Sequence, residues 1–514
     1  LKLFKSCSLT ALSARGLLLA LVALSLTSCG GNKYYSFPEY NFAGRPVPPS
    51  KLQERVMVSI TVNGAQGALA ILDGYRDIRS NVENTIPSFS ISGYSGAYPS
   101  LIINYPEQTR GYVYSSTDGS LASINYGTEA SLGSAGSFGG VSTSIAVAQD
   151  DSRLFGAVET AGALVVIDNS LGRTFVLNLP NVYKVVENTG NTIALAMVRN
   201  SNALYRVVKL NTNQVYNTTP GATNPLFPPG AVDCQPYILP VYCVVPVPTN
   251  NTLNRPSNAY FSLDGSTAYV INCGTECGGT APATLPGSSA SITPFSTGSL
   301  TVDVIPTVAS PSQKVDSPSI AIPGGVTTMI SDGTNLYMAG QQQQTDGRFA
   351  GMLTVMPLST QVPGTPVAIS DGSHSKMLFA DDNTLWVGSQ ACSTGERAYQ
   401  ASLGVTSQAA NYNCLTMVKL ATSTTSMTTQ IIPNAVTGTS AVVPYPNLDN
   451  NQFYYGSLTG LCWVQNFHKV YTAYGGQVHA FNTTDGSEIN NANISVQGTA
   501  LDVAYMDAVT NTAD

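Results

Sequence analysis

The chain has 514 residues and only 10% of them are charged, against about 25% in ordinary globular proteins. A net charge of −7 excludes a nucleic-acid groove, which needs clustered Lys and Arg. The 43% hydrophobic content excludes wholesale disorder, and the residue mix is not that of a heptad-built helical protein.

Taken in chain order, the first thirty residues read as an address. Lys2, Lys5 and Arg15 precede an apolar run at 16–24, too short to cross a bilayer as a helix and placed as in a secretory signal. Leu26-Thr27-Ser28-Cys29 resembles the lipobox of bacterial lipoproteins. The resemblance implies a signal peptide at 1–28, cleavage before Cys29 and diacylation of its thiol, the palmitate-type anchor that holds such proteins on a membrane. Gly30 replaces the Asp that often retains these proteins at the inner membrane. The expected address is therefore the cell envelope, at the outer membrane or cell surface. Residues 29–54 read as a tether, with Tyr34, Tyr35, Phe37 and Tyr40 followed by Pro46, Pro48 and Pro49, spacing that stiffens a chain.

From 55 to 514 helical periodicity is almost absent. Short runs of Val, Ile, Tyr, Thr and Leu end at Gly, Asn, Asp or Pro, the pattern of strands and turns. Asp-Gly occurs at Asp73, Asp118, Asp264, Asp332, Asp346, Asp371 and Asp485 and suits tight hairpins, since both residues tolerate positive φ. A frame recurs at 258–271, 326–339 and 376–388: a strand, an Asp-containing turn and a second strand bearing an aromatic. Third strands follow at 163–168, 204–210, 352–356 and 477–481. Four strands per 40–50 residues define propeller blades. Seven blades fall at about 100–140, 141–181, 182–220, 255–310, 325–371, 374–433 and 459–498, the fourth and sixth with long insertions. Strands near 55–62, 68–72 and 88–91 lack a first partner, and a strand at 500–506 lacks all of its own. Pairing them yields an eighth blade and closes the ring, removing open sheet edges. The expected fold is all-β, a single propeller of eight blades, with seven the alternative.

The segment Phe261-Ser-Leu-Asp-Gly-Ser-Thr-Ala-Tyr-Val-Ile-Asn272 resembles the YVTN repeat of bacterial surface propellers, with Leu263 in place of Pro and Ile271 in place of Thr. With only Trp386 and Trp463 as tryptophans, WD40 and quinoprotein propellers are disfavoured. The resemblance implies two functions. One is a lipid-anchored binding module, read as a monomer, taking a protein or glycan at its loops. The other is a hydrolase of the lactonase-propeller type acting on a small sugar lactone, with a base to activate water. For the second, Glu107, Asp150, Glu187, Asp381 and His468 stand at the ends of inner strands, and their convergence at one channel mouth discriminates the readings.

Seven cysteines remain beyond Cys7 and Cys29. Proximity pairs Cys234 with Cys243, Cys273 with Cys277 and Cys392 with Cys414, as disulfides that an exported location permits. Cys273-Gly-Thr-Glu-Cys277 also admits a metal site, but no second Cys or His pair lies near. Cys462 reads as a buried small apolar residue. His374, His468 and His479 read as structural or surface residues. No nucleophile elbow, phosphate loop, zinc-binding helix or dinucleotide fingerprint occurs, so neither a cofactor nor a metal is expected. Gln341–Gln344 reads as a polar tract in a hairpin loop.

Overall fold

The computed structural model describes residues 46–79, 89–105, 109–210, 228, 230–235, 240–273, 290–298, 300, 316–343, 349–392, 413–423, 425–433, 455–489 and 494–509. Among these are 32 strands and one 3-10 turn, Glu159–Ala161. The strands form eight antiparallel sheets set around a central channel. Blades 1 to 7 lie at 99–137, 144–178, 182–246, 256–321, 328–368, 373–432 and 458–489.

Blade 8 closes the ring as the sequence requires. Its inner strand is Thr499–Tyr505, paired antiparallel with Arg55–Val62, which in turn pairs with Gln66–Asp73. A bridge from Ala70 to Ser90 supplies the fourth element. In the other seven blades the first strand in sequence is innermost. Successive residues of a strand point to opposite faces, and each face packs on a neighbouring blade, so central strands such as Ala163–Asp168 are buried at every position. The core is accordingly distributed between blades. Phe155, Val166, Val185 and Tyr242 fill the gap between blades 2 and 3. Val58, Val464, Tyr471 and Val503 fill the one between 7 and 8, and Met57, Ile71, Ile102 and Val113 the one between 8 and 1.

Polar ties follow the same seams. Arg55, buried in blade 8, donates from Nη2 to Asp507 Oδ1 at 2.7 Å and from Nη1 to Glu129 Oε1 at 3.1 Å and Tyr126 O at 2.6 Å. Glu129 in turn receives Ser50 N at 2.8 Å, and Leu52 is fully buried. The chain is thus already packed against blades 8 and 1 before its first strand begins.

Blade 3 differs from the sequence expectation. It has five strands, and its outer members are Val241–Pro246 and Asp233–Gln235 rather than a strand before 220. The order reverses there, the later strand lying inside the earlier one, and the Cys234–Cys243 disulfide joins directly opposed residues of this last pair. Blade 4 likewise ends later than expected, its outer strand being Ile320–Ala321. Gln341–Gln343 lie within the strand Asn335–Gln343, not in a loop, and Gln341 Nε2 donates to Gly372 O at 2.6 Å. The Gln341 amide thus ties blade 5 to the turn before blade 6, and Gln344 lies outside the described residues. In five of the Asp-Gly pairs only the glycine takes positive φ, at Gly119, Gly265, Gly333, Gly372 and Gly486, and at Asp73-Gly74 neither residue does. The Asp carboxylate instead receives a backbone N–H two residues on: Ser266 N at 3.0 Å from Asp264, Ser487 N at 2.9 Å from Asp485. The Ser hydroxyl donates to the same carboxylate, at 2.9 Å from Ser266 and 2.6 Å from Ser487, which explains the recurrent Ser after the glycine.

Candidate functional site in the central channel

The inner strands of all eight blades enclose a channel of about 510 Å³, within the range of small-molecule pockets. Most of its wall is apolar or neutral. Four charged side chains interrupt it, on strands whose neighbours are hydrophobic: Lys184 and Glu187 in Val182–Glu187, Lys376 in Ser373–Ala380, and Asp502 in Thr499–Tyr505.

Lys376 Nζ and Asp502 Oδ1 form an ion pair at 3.4 Å. Asp502 also receives Ile102 N at 2.8 Å and Val503 N at 3.0 Å. Burial pushes its carboxyl up, opposed by Lys376 and these donors. Lys184 has no hydrogen-bond or ion-pair partner among the described residues, and burial alone pushes its ammonium down. Both carboxyl oxygens of Glu187 are buried without a partner. Desolvation pushes this carboxyl up to about 8, with Arg153 opposing and Asp150 adding to the rise. Cys462 is free and buried beside this wall, as expected for a small apolar filler. Burial, and Asp502 after it, push its thiol up, which removes thiolate character.

Of the five residues that the hydrolase reading requires together, the structure describes four and disperses them. Glu107 lies outside the described residues. Asp150 is exposed on a turn and receives Ser152 N at 3.0 Å. Glu187 alone lines the channel. Asp381 and His468 do meet, but as a clasp between blades 6 and 7 away from the channel wall. Asp381 Oδ2 receives Trp463 Nε1 at 2.9 Å and His468 N at 2.8 Å. The exposed His468 ring bonds through Nδ1 to Asp382 Oδ2 at 2.9 Å, which raises its pKa. With its oxygen held by two protein donors, Asp381 is placed as a structural acceptor.

The other histidines are structural. His374 is buried with Nε2 2.7 Å from Ser370 O, and desolvation pushes it down to about 4. His479 is buried, bonds Glu488 Oε1 at 2.7 Å and stacks on Tyr455 with centroids 4.0 Å apart. Among the described residues no group of three His, Cys, Asp or Glu could hold a metal ion. Disulfides join Cys234 to Cys243 and Cys392 to Cys414. Cys273 is disulfide-bonded, which removes it from the metal reading, while Cys277 lies outside the described residues. So does Cys29.

Sequence reasoning missed Lys184, Lys376 and Asp502. The available signal was a lone charge in the middle of an inner strand, in a chain with few charges to spend.

The chain matches no protein-family model and no curated protein sequence. Its fold is found among solved structures. Dihydro-heme d1 dehydrogenase NirN, in complex with DHE, is 12% identical, with a TM-score of 0.50 over 90% of this chain and 79% of that one. The Pseudomonas aeruginosa periplasmic gluconolactonase PpgL is 12% identical, with a TM-score of 0.39 over 88% and 98%. Kuenenia stuttgartiensis hydrazine synthase is 13% identical, with a TM-score of 0.42 over 76% and 96%. The first likeness concerns the fold alone. The chain is an eight-bladed β-propeller. Among its described residues no helix is long and apolar enough to cross a membrane.

Proposed function

We propose that this propeller is a cell-envelope binding module that takes a small molecule in its central channel and is held to the membrane by lipid on Cys29. The anchoring rests on Leu26-Thr27-Ser28-Cys29 and the charged and apolar residues before it, with residues 29–54 leading to the propeller at 55–514. The observation that carries the binding role is the channel: Lys184 and Glu187 stand in its wall with no hydrogen-bond or ion-pair partner among the described residues. Ionisable groups buried in this way are uncommon unless something else satisfies them. A protein or glycan at the loops, the partner that the sequence suggests, would use a surface separate from this channel.

The test is native mass spectrometry of the protein after incubation with small molecules extracted from the envelope. Ser375 is exposed and lines the channel, so Ser375→Trp fills the space without emptying the core. A retained small molecule that is lost in Ser375→Trp supports the reading; identical retention by both proteins overturns it. A labelled fatty-acid precursor that fails to enter the chain, or enters Cys29→Ser equally, overturns the anchoring.

A hydrolase remains the second reading on one observation. A carboxyl pushed up to about 8 in a channel has the pKa of a general acid that works near neutrality. Lactone hydrolysis by the wild type and its loss in Glu187→Gln would favour it.

A further inference from the structure

A repeated irregularity sets the chemistry of the channel. Six of the eight inner strands carry a β-bulge near their start, with one extra residue opposite the second strand. A bulge re-aims the side chains beside it. The first residue beyond it is Leu101 in blade 1, Lys184 in blade 3, Asn258 in blade 4, Lys376 in blade 6, Gly460 in blade 7 and Asp502 in blade 8. These six occupy one register level of the ring.

The charges at that level do not cancel. Lys376 reaches over blade 7 to Asp502, and it can do so because blade 7 carries a glycine there. A Cβ at Gly460 would lie 2.6 Å from Asp502 Oδ1. That pair is internally neutral. Lys184 stands three blades away from each of its members, and Asp502 is the one acid among these six residues. Its neighbour on blade 4 is Asn258, whose Oδ1 receives Ala259 N at 3.0 Å. The amide NH₂ is left as the donor facing outward from that bond. Glu187, three residues beyond Lys184, lies toward Arg153 and Asp150 on the blade 2 side and is held protonated by burial at neutral pH. The level therefore carries one ammonium with no counter-charge among these six residues and, on the next blade, an amide donor. Around it the wall is apolar, with Tyr260, Met329 and Met377.

We propose that the channel takes a small organic carboxylate, its carboxyl group held by Lys184 and the Asn258 amide and its carbon body set against Tyr260, Met329 and Met377. The proposal rests on the channel being the ligand site. One ammonium matches one negative charge, and a charge-assisted hydrogen bond in a confined site is roughly twice as strong as a neutral one.

The experiment uses matched probes that differ only in charge: benzoate and hexanoate against benzamide and hexanamide, by calorimetry at neutral pH. The acids are expected to bind the wild type roughly tenfold more tightly than the amides. Lys184→Met should lose that preference, and Lys184→Arg should keep it. Thermal unfolding of each variant separates lost binding from lost fold. Ser375→Trp should bind neither class. If the amides bind as well as the acids and Ser375→Trp blocks both, the channel is the ligand site and the acid inference is overturned. Acids that bind Lys184→Met as tightly as the wild type overturn it also. If neither class binds at millimolar concentration, both this inference and the channel reading fall.

Discussion

The closure seam and the channel wall both bury charge, and they treat it in opposite ways. At the seam the Arg55 guanidinium meets Asp507, Glu129 and the Tyr126 carbonyl, and Glu129 receives Ser50 as well. Each charged group there is answered by protein. In the channel, beyond the Lys376–Asp502 pair, Lys184 has no partner among the described residues and Glu187 has two orphaned oxygens. Breaking a saturated network exposes the desolvation cost of everything left behind, whereas removing an unanswered charge relieves a cost already present. The same kind of side chain is therefore structural at one site and available to a ligand at the other.

The contrast is broken most severely at Arg55. Arg55→Met leaves Asp507 and Glu129 buried without their cation and should cost about 3–5 kcal/mol, read as a lower denaturant midpoint. The Cys392–Cys414 bridge closes a 22-residue separation beside the seam between blades 6 and 7. Replacing both cysteines with alanine should cost about 2–4 kcal/mol, measured in the same way and absent when the wild type is already reduced.

Glu187→Gln should instead stabilise, by about 1–3 kcal/mol at pH 7. The sign follows from proton uptake. The folded protein keeps the Glu187 proton up to about 8, while the unfolded chain releases it near 4.5. Between those values the folded state holds more protons, so wild-type stability falls as pH rises. The Gln variant should show a shallower fall over that window in pH-dependent unfolding. His374, pushed down to about 4, works in the other direction. Its contribution is complete above about 6.5 and is lost as pH falls toward 4. At the smaller end, Gly460→Ala should cost about 1–2 kcal/mol, because the new methyl meets Asp502 and the Val503 backbone at 2.6 Å. It should also weaken the Lys376–Asp502 pair. His468→Ala, at an exposed ring, should leave the unfolding midpoint unchanged.

The fold was legible because its signals are local and repeated. The Asp-Gly turns and paired strands mark each blade, and unpaired strands at 55–72 and 500–506 force closure. The extra strand of blade 3 was not legible, because it depends on a chain reversal through residues that carry no strand signal. The site was only partly readable. Glu187 stands out as an acid at a strand end, yet Asp381 and His468 stand out equally and are claimed by Trp463 and Asp382. Lys184 and Asp502 are too far apart in sequence to suggest a shared level. The bulges that put them there are set by how blades pack, which no short motif records.

Asp502 is carried by a strand that pairs with Ser59 across a separation of 443 residues. Seven blades can therefore be synthesised and stacked before the acid that neutralises Lys376 is in place. An unlatched ring would expose two lysines without that acid, whereas the latched ring pairs one of them. Assembly and selectivity are thus coupled: the chain's late strand is both the bolt of the scaffold and the counter-charge that tunes what its interior accepts.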